Sequence, residues 1–146
     1  MSRDERGETL LELLIAVVIM GIAMVAIVGG LVTAILMSDI HRKQSTAGAA
    51  VRDYAERIET YVAGGNYVGC APATAYAPGT VGYPVPSGFS TTATVAQTWN
   101  GSSWGTCSAD NAYQKISLTV SSADGRASEK LDLVLRRPCR PADSTC

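Results

Sequence analysis

The chain has 146 residues and a net charge of −1, with 12 Lys and Arg against 13 Asp and Glu. That length holds one compact domain plus an extended segment. The near-neutral balance supplies no global field that would draw nucleic acid or acidic substrates to the surface.

Hydrophobic residues make up 47% of the chain, but they are not evenly spread. Met1 to Gly7 is a short charged leader. From Leu13 to Val32 there are twenty residues without a charged or strongly polar side chain, and Thr33 is the only interruption before Met37. At about 1.5 Å per residue this run spans roughly 30 Å, the thickness of a bilayer's hydrocarbon core. A buried core helix usually stops at about 10 to 14 apolar residues. A secretory signal peptide wants a shorter apolar region and a small-residue exit, which Met24 to Met37 does not offer. A membrane-inserted helix is the favoured reading. Charge leaves its orientation near a tie, because Arg3 and Arg6 are offset by Asp4 and Glu5 while Arg42 and Lys43 follow the run. Cysteine breaks the tie. Cys70, Cys107, Cys139 and Cys146 all follow the apolar run. They form no C-x-x-C pair, and an even number in a small polar region favours disulfides in an oxidising compartment. The expected topology is a single pass through the cytoplasmic membrane, with the N-terminus cytoplasmic and the C-terminal part outside.

Beyond the apolar run the helical pattern continues. Ala47, Ala50, Val51, Tyr54, Ala55, Ile58, Tyr61 and Val62 recur at three- and four-residue spacing, and Arg52, Asp53, Glu56, Arg57 and Glu59 fill the other faces. One helix is predicted from about Thr9 to about Val62, stopped by Gly64-Gly65-Asn66. Residues 64–91 carry Pro72, Pro78, Pro84 and Pro86 among glycines and tyrosines and read as an irregular loop pinned by Cys70. A recognition surface is the sharper alternative for this loop.

From Thr92 the period changes to two. Trp99-Asn100-Gly101-Ser102 predicts a type I′ hairpin that pairs Gln97 with Trp104 and Trp99 with Ser102, leaving the tryptophans diagonal on one face. Asp124-Gly125 predicts a second hairpin, with Leu118 opposite Leu131 and Ile116 opposite Leu133. Ser117, Thr119 and Asp132 then fall on the other face. The apolar face needs cover, which Val51, Tyr54, Ile58 and Val62 can supply. The expected fold is α+β: a long N-terminal helix, half transmembrane and half amphipathic, packed on a small antiparallel sheet. The parts are 1–7 leader, 8–37 transmembrane helix, 38–63 amphipathic extension, 64–91 loop and 92–146 sheet head. Four cysteines allow three connectivities. Locality favours Cys70–Cys107, tying the loop to the hairpin, and Cys139–Cys146, closing a short terminal loop.

Glu12 is the anomaly. It sits at the lip of the apolar run between Leu11 and Leu13, where a carboxylate entering the membrane costs up to about 2.5 to 3.5 kcal/mol, less near an interface. Such a residue needs a partner, unless it reaches back to the headgroups. A charged leader, then Gly7, Glu8, Thr9, Leu10, Leu11, Glu12 and an apolar run resembles the prepilin signature of the type IV pilin-like family over Met1 to about Met37. The resemblance implies cleavage between Gly7 and Glu8 by a membrane prepilin peptidase on the cytoplasmic side and N-methylation of Glu8. It implies that Glu12 neutralises the N-terminal amine of a neighbouring subunit during assembly, which fits the need to compensate a carboxylate in an apolar bundle. The first mature residue departs from the family pattern, in which phenylalanine or methionine is commoner. Gly29, followed by Gly30, stands where many major pilins carry proline. Glycine weakens a helix by about 1 kcal/mol against proline's roughly 3. These features are closer to minor pilins and pseudopilins than to an abundant major subunit.

Other chemistry is weaker. His41, the only histidine, reads as part of an interfacial polar cluster with Arg42 and Lys43. No Ser–His–Asp arrangement or phosphate loop is evident. Asp124 and Asp143 lack calcium-loop spacing. Arg136, Arg137 and Arg140 form a small basic cluster for which a solvated surface is favoured over DNA contact. Asn100-Gly101-Ser102 fits a glycosylation sequon that the turn already explains.

The expected function is therefore non-enzymatic and needs no cofactor or metal: a minor pilin or pseudopilin of a type IV pilus or type II secretion filament. Its implied partners are other pilin subunits, the prepilin peptidase, an inner-membrane assembly platform and the lipid bilayer, and it ends in a filament or at the cell surface. The alternatives are a pilus-associated adhesin or DNA-uptake subunit acting through the head, and an unrelated signal-anchored surface protein.

Overall fold

The structure, a computed structural model, describes residues 5–139, with side chains from residue 10 onward. Helix α1 runs Glu5–Ala63. Two compact units divide the chain, the first ending at Ile40 and the second beginning at His41.

The described part of the first unit is helical throughout. Its apolar side chains from Leu10 to Met37 are all exposed, including Leu14, Val18, Ile22, Val25 and Leu36. The most apolar window of α1 has a mean hydropathy of 2.9, and none of it is buried within the chain. A helix apolar on every side is stable in lipid or inside a bundle of like helices, not in water. Gly29 and Gly30 do not interrupt it; Thr33 Oγ1 donates to the Gly29 carbonyl at 3.0 Å.

In the second unit, residues 41–63 of α1 pack on a five-stranded antiparallel sheet. The strands are β1 (Phe89–Ala93), β2 (Gln97–Trp99), β3 (Trp104–Thr106), β4 (Tyr113–Ser122) and β5 (Ser128–Arg136). The helical stripe read from the sequence is the buried one: Ala47, Ala50, Val51, Tyr54, Ala55, Ile58 and Val62 lie in the core, with Tyr61 partly buried against it. The stop also falls where glycine allows it. Gly65 adopts a φ of 96°, and the Asn66 side-chain amide donates to the Tyr61 carbonyl at 3.1 Å.

Strand β4 is central. Its residues alternate strictly between buried and half-exposed, so Gln114, Ile116, Leu118 and Val120 face the helix. On one side it pairs with β5, placing Ile116 opposite Leu133 and Leu118 opposite Leu131. This is the register that Asp124-Gly125 and the alternation predict. On the other side, one half of β4 pairs with β1 and the other end meets β2 through Gln97 and Lys115.

The first hairpin departs from expectation. Trp99 lies opposite Trp104 and Gln97 opposite Thr106, two residues along from the predicted pairing. Asn100 is not a central turn residue. Its Oδ1 accepts from the backbone N–H groups of Ser102 and Ser103 at 3.0 and 2.9 Å, while its own N–H donates to the Ser103 carbonyl. Gly101, at a φ of 101°, takes the first central position, the place glycine holds in a type II′ turn. The side-chain bonds of Asn100 outweigh the Asn-Gly preference, and the tryptophans become direct partners rather than diagonal ones.

The loop expected over 64–91 is also more ordered than its composition suggests. A short helix α2 (Pro78–Val81) sits within it and buries Val81. Strand β1 begins at Phe89, before the expected boundary at 92. Gly88, at a φ of 78°, and a bond from the Phe89 N–H to the Pro86 carbonyl at 3.1 Å turn the chain into the sheet there.

Candidate functional site

The residues with unusual chemistry fall at three places, one in the first unit and two in the second. In the first unit the Gly7–Glu8 peptide lies within α1, though the side chains of these two residues are outside those described. Glu12 follows one turn later, exposed on a surface otherwise formed by Leu10, Leu11, Leu13 and Leu14. Among the described residues it has no hydrogen-bond or ion-pair partner. A carboxylate on a helix otherwise suited to lipid is stable only when a cation or donor from another molecule reaches it.

At the start of the second unit, Lys43 Nζ meets Asp124 Oδ2 at 2.6 Å and fastens the helix to the β4–β5 turn. Asp124 also accepts from Ser122 Oγ at 2.7 Å and from the Arg126 N–H at 3.3 Å. The Lys43 hydrogen bond, followed by that from Ser122, holds its carboxyl well below the usual range. His41 is exposed.

The segment from Asn66 to Ala77 is fastened to the sheet at three levels. Cys70 and Cys107 are joined by a disulfide with Cα atoms 5.3 Å apart. Beneath it, fully buried Gln114 acts as a polar rivet. Its Nε2 donates to the Val68 carbonyl at 2.8 Å and to Tyr76 Oη at 3.3 Å, and its Oε1 accepts from the Ala71 N–H at 3.1 Å. Tyr76 Oη in turn accepts from the Val68 N–H at 3.0 Å, and Tyr54 Oη donates to the Tyr76 carbonyl at 2.5 Å. Burial, reinforced by the neighbouring Tyr83, pushes the Tyr54 phenol up to about 12. Beside the disulfide, Asp110 accepts from Tyr67 Oη at 2.9 Å, from the Ala112 N–H at 3.0 Å and from the Arg137 guanidinium. Burial, and then the bond to Asp110, raises the Tyr67 phenol. Arg137 also lies over the Tyr67 ring, 5.6 Å from its centroid. Gly69 makes this approach feasible, because a Cβ there would stand 2.6 Å from Asp110 Oδ2.

Arg136 and Arg137 of the expected basic cluster therefore do not form one patch. Arg137 is committed to Asp110 and Tyr67, whereas Arg136 lies across from Tyr113 on the other face of the sheet. Arg140 and Asp143 are outside the described residues, as is Cys146, the second half of the expected Cys139–Cys146 bridge. Among the described residues no group of His, Cys, Asp and Glu side chains is placed to hold a metal ion.

Gln114 and Asp110 were not singled out by sequence reasoning. For Gln114 a signal existed: it is a polar residue in the phase shared with Ile116, Leu118 and Val120. Asp110 has no comparable signal, since its partners come from residues 67 and 137.

Residues 2–28 match the family model described as the prokaryotic N-terminal methylation motif. This is the type IV pilin and prepilin signature, and it spans the leader, the Gly7–Glu8 junction, Glu12 and most of the apolar run. The motif supports a type IV pilin-like prepilin in the N-terminal part of the chain and indicates a structural protein. The motif implies processing by a prepilin peptidase and assembly with other pilin subunits. Together with the apolar helix it fits membrane anchoring and a filament. No curated protein and no solved structure matches the chain significantly.

Proposed function

We propose that this protein is a minor pilin or pseudopilin of a type IV pilus or type II secretion filament. It enters the cytoplasmic membrane with its N-terminus inside, is cut between Gly7 and Glu8, is methylated at Glu8 and polymerises through its apolar helix. The single observation that carries this reading is the coincidence of the methylation motif with a helix whose most apolar window is nowhere buried within its own chain. That surface is large enough to require lipid first and neighbouring helices afterwards. Glu12 supplies the specific contact, pairing with the new N-terminal amine of a neighbour and so compensating both charges in an apolar bundle. The absence of proline from the apolar run supports a minor or pseudopilin role over that of a major subunit. The sheet head works outside the cytoplasm, where Cys70–Cys107, and by the same logic Cys139–Cys146, remain oxidised.

Intact-mass and N-terminal peptide spectrometry of the membrane-extracted protein tests the processing step. The mature chain is expected to begin at methylated Glu8. A chain that still begins at Met1, in cells with an active prepilin peptidase, refutes it. Non-reducing peptide mapping tests the second bridge: a Cys139–Cys146 peptide is expected, and Cys139 or Cys146 recovered as a free thiol rules it out.

A further inference from the structure

Cross-strand partners share a face. Because Gln114, Ile116, Leu118 and Val120 face the helix, Tyr113, Lys115, Ser117, Thr119 and Ser121 lie on the outer face of the sheet. Through Gln97 opposite Lys115 and Trp99 opposite Trp104, both tryptophans lie on that outer face too. Most of the face carries the hydroxyls expected of a solvated sheet. One end does not. There Trp104, Trp99, Tyr113 and Arg136 form a row that crosses the sheet from β3 through β2 and β4 to β5.

The rings of this row meet edge to face. Trp99 and Trp104 have centroids 5.6 Å apart, and Trp104 and Tyr113 have centroids 6.3 Å apart. Lys115 Nζ stands 5.3 Å from the Trp104 centroid. All three rings remain partly exposed. Among the strand residues of this face the cations are Lys115, Lys130 and Arg136, and the one carboxylate is Asp132. Asp132 already accepts from Ser117 and lies 3.8 and 3.9 Å from Lys115 and Lys130. The local balance is therefore cationic, although the chain as a whole is not.

From this row we infer that the outer face of the head binds a single-stranded nucleic acid across its strands. Flat rings attract the π-faces of unpaired bases without regard to sequence, while neighbouring cations hold the phosphates. A sheet that presents such a row accommodates about two or three bases. The row spans three strand spacings of roughly 4.8 Å each, a length suited to that number. A duplex hides its base faces and would meet only the cations. An acidic polymer without rings would likewise gain nothing from Trp99 and Tyr113. The inference names a ligand for the head and is independent of how the helix assembles.

The test uses the full-length chain in detergent micelles and a fluorescein-labelled oligothymidine at low salt. Binding is expected to quench tryptophan fluorescence and to weaken linearly in log–log terms as salt rises. Arg136→Gln, at the exposed end of the row, and Lys115→Gln, beside Trp104, are each expected to reduce the salt slope by about 0.7. Trp99→Ala is expected to weaken binding by about 5- to 150-fold, the range that base–ring stacking supplies. If Trp99→Ala unfolds the hairpin, as circular dichroism would reveal, the two charge variants still decide the matter. Absence of binding at low salt overturns the inference. So does equal competition by polyacrylate or duplex DNA, or binding unchanged in Arg136→Gln and Lys115→Gln. Because the assay needs no filament, its failure leaves the assembly role of Glu12 standing, and failure of that role leaves this inference standing.

Discussion

Replacing Gln114 by leucine puts an apolar side chain of similar size at a fully buried site. Three hydrogen bonds disappear, but they are not equal in consequence. The Ala71 N–H is wholly buried and loses its acceptor, so it bears the penalty of an unsatisfied buried donor, about 1 to 3 kcal/mol. The Val68 carbonyl is only part-buried and can recruit water. Tyr76 Oη keeps the Val68 N–H as a donor. Added apolar burial returns a fraction of this, so the net loss is expected at about 2 kcal/mol. At about 4 °C per kcal/mol for a unit of this size, the melting temperature falls by roughly 8 °C. Thermal unfolding followed by near-ultraviolet circular dichroism, with the disulfide kept oxidised, measures it. Hydrogen exchange at Ala71 reports the local effect and is expected to accelerate beyond what global destabilisation explains. A melting temperature within a degree or two of wild type, with Ala71 still protected, would show that the disulfide and Asp110 hold this segment without Gln114.

Three further outcomes follow from the same contacts. Glu12→Ala is expected to spare membrane insertion and processing yet to reduce co-purification with sheared filaments or partner pilins, because losing one half of a buried ion pair typically costs about 3 to 5 kcal/mol; incorporation at the wild-type level would remove its assembly role. Asp124, whose carboxyl is held low in the folded chain, contributes stability that is fully present above the unfolded value of about 4 and is lost as pH falls below it. Acid titration of the melting temperature is thus expected to show a shallower decline below that pH in Asp124→Asn than in wild type, and identical acid limbs would contradict the Lys43 contact. Gly69→Ala drives a methyl against an Asp110 carboxylate pinned by Tyr67, Ala112 and Arg137, at an expected loss of about 1 to 3 kcal/mol in denaturant titration; a neutral substitution would mean that Asp110 yields freely.

Patterns that repeat within a short stretch were legible in the sequence. The apolar run, the stripe from Ala47 to Val62 and the glycine stop are properties of consecutive residues, and a helix of this length follows from them. The β4–β5 register was legible too, because a tight turn at Asp124-Gly125 and the two-residue alternation of both strands admit one pairing. So was Glu12, since a carboxylate in an apolar run is conspicuous without any structure.

What the tertiary structure decided depends on distant partners. Which turn residue becomes central at Asn100-Gly101 was settled by side-chain bonds to Ser102 and Ser103, and the direct pairing of the tryptophans followed from that. The pairing of β1 with β4 joins segments separated by some thirty residues, beyond the reach of turn chemistry. Composition marked residues 64–91 as irregular. Their order comes from Gln114, Asp110 and Cys107, which lie in or before β4 and reach back to them. The division of Arg136 from Arg137 is of the same kind. The two are adjacent in sequence, yet strand geometry turns successive side chains to opposite faces. One therefore joins the aromatic row, and the other locks the loop.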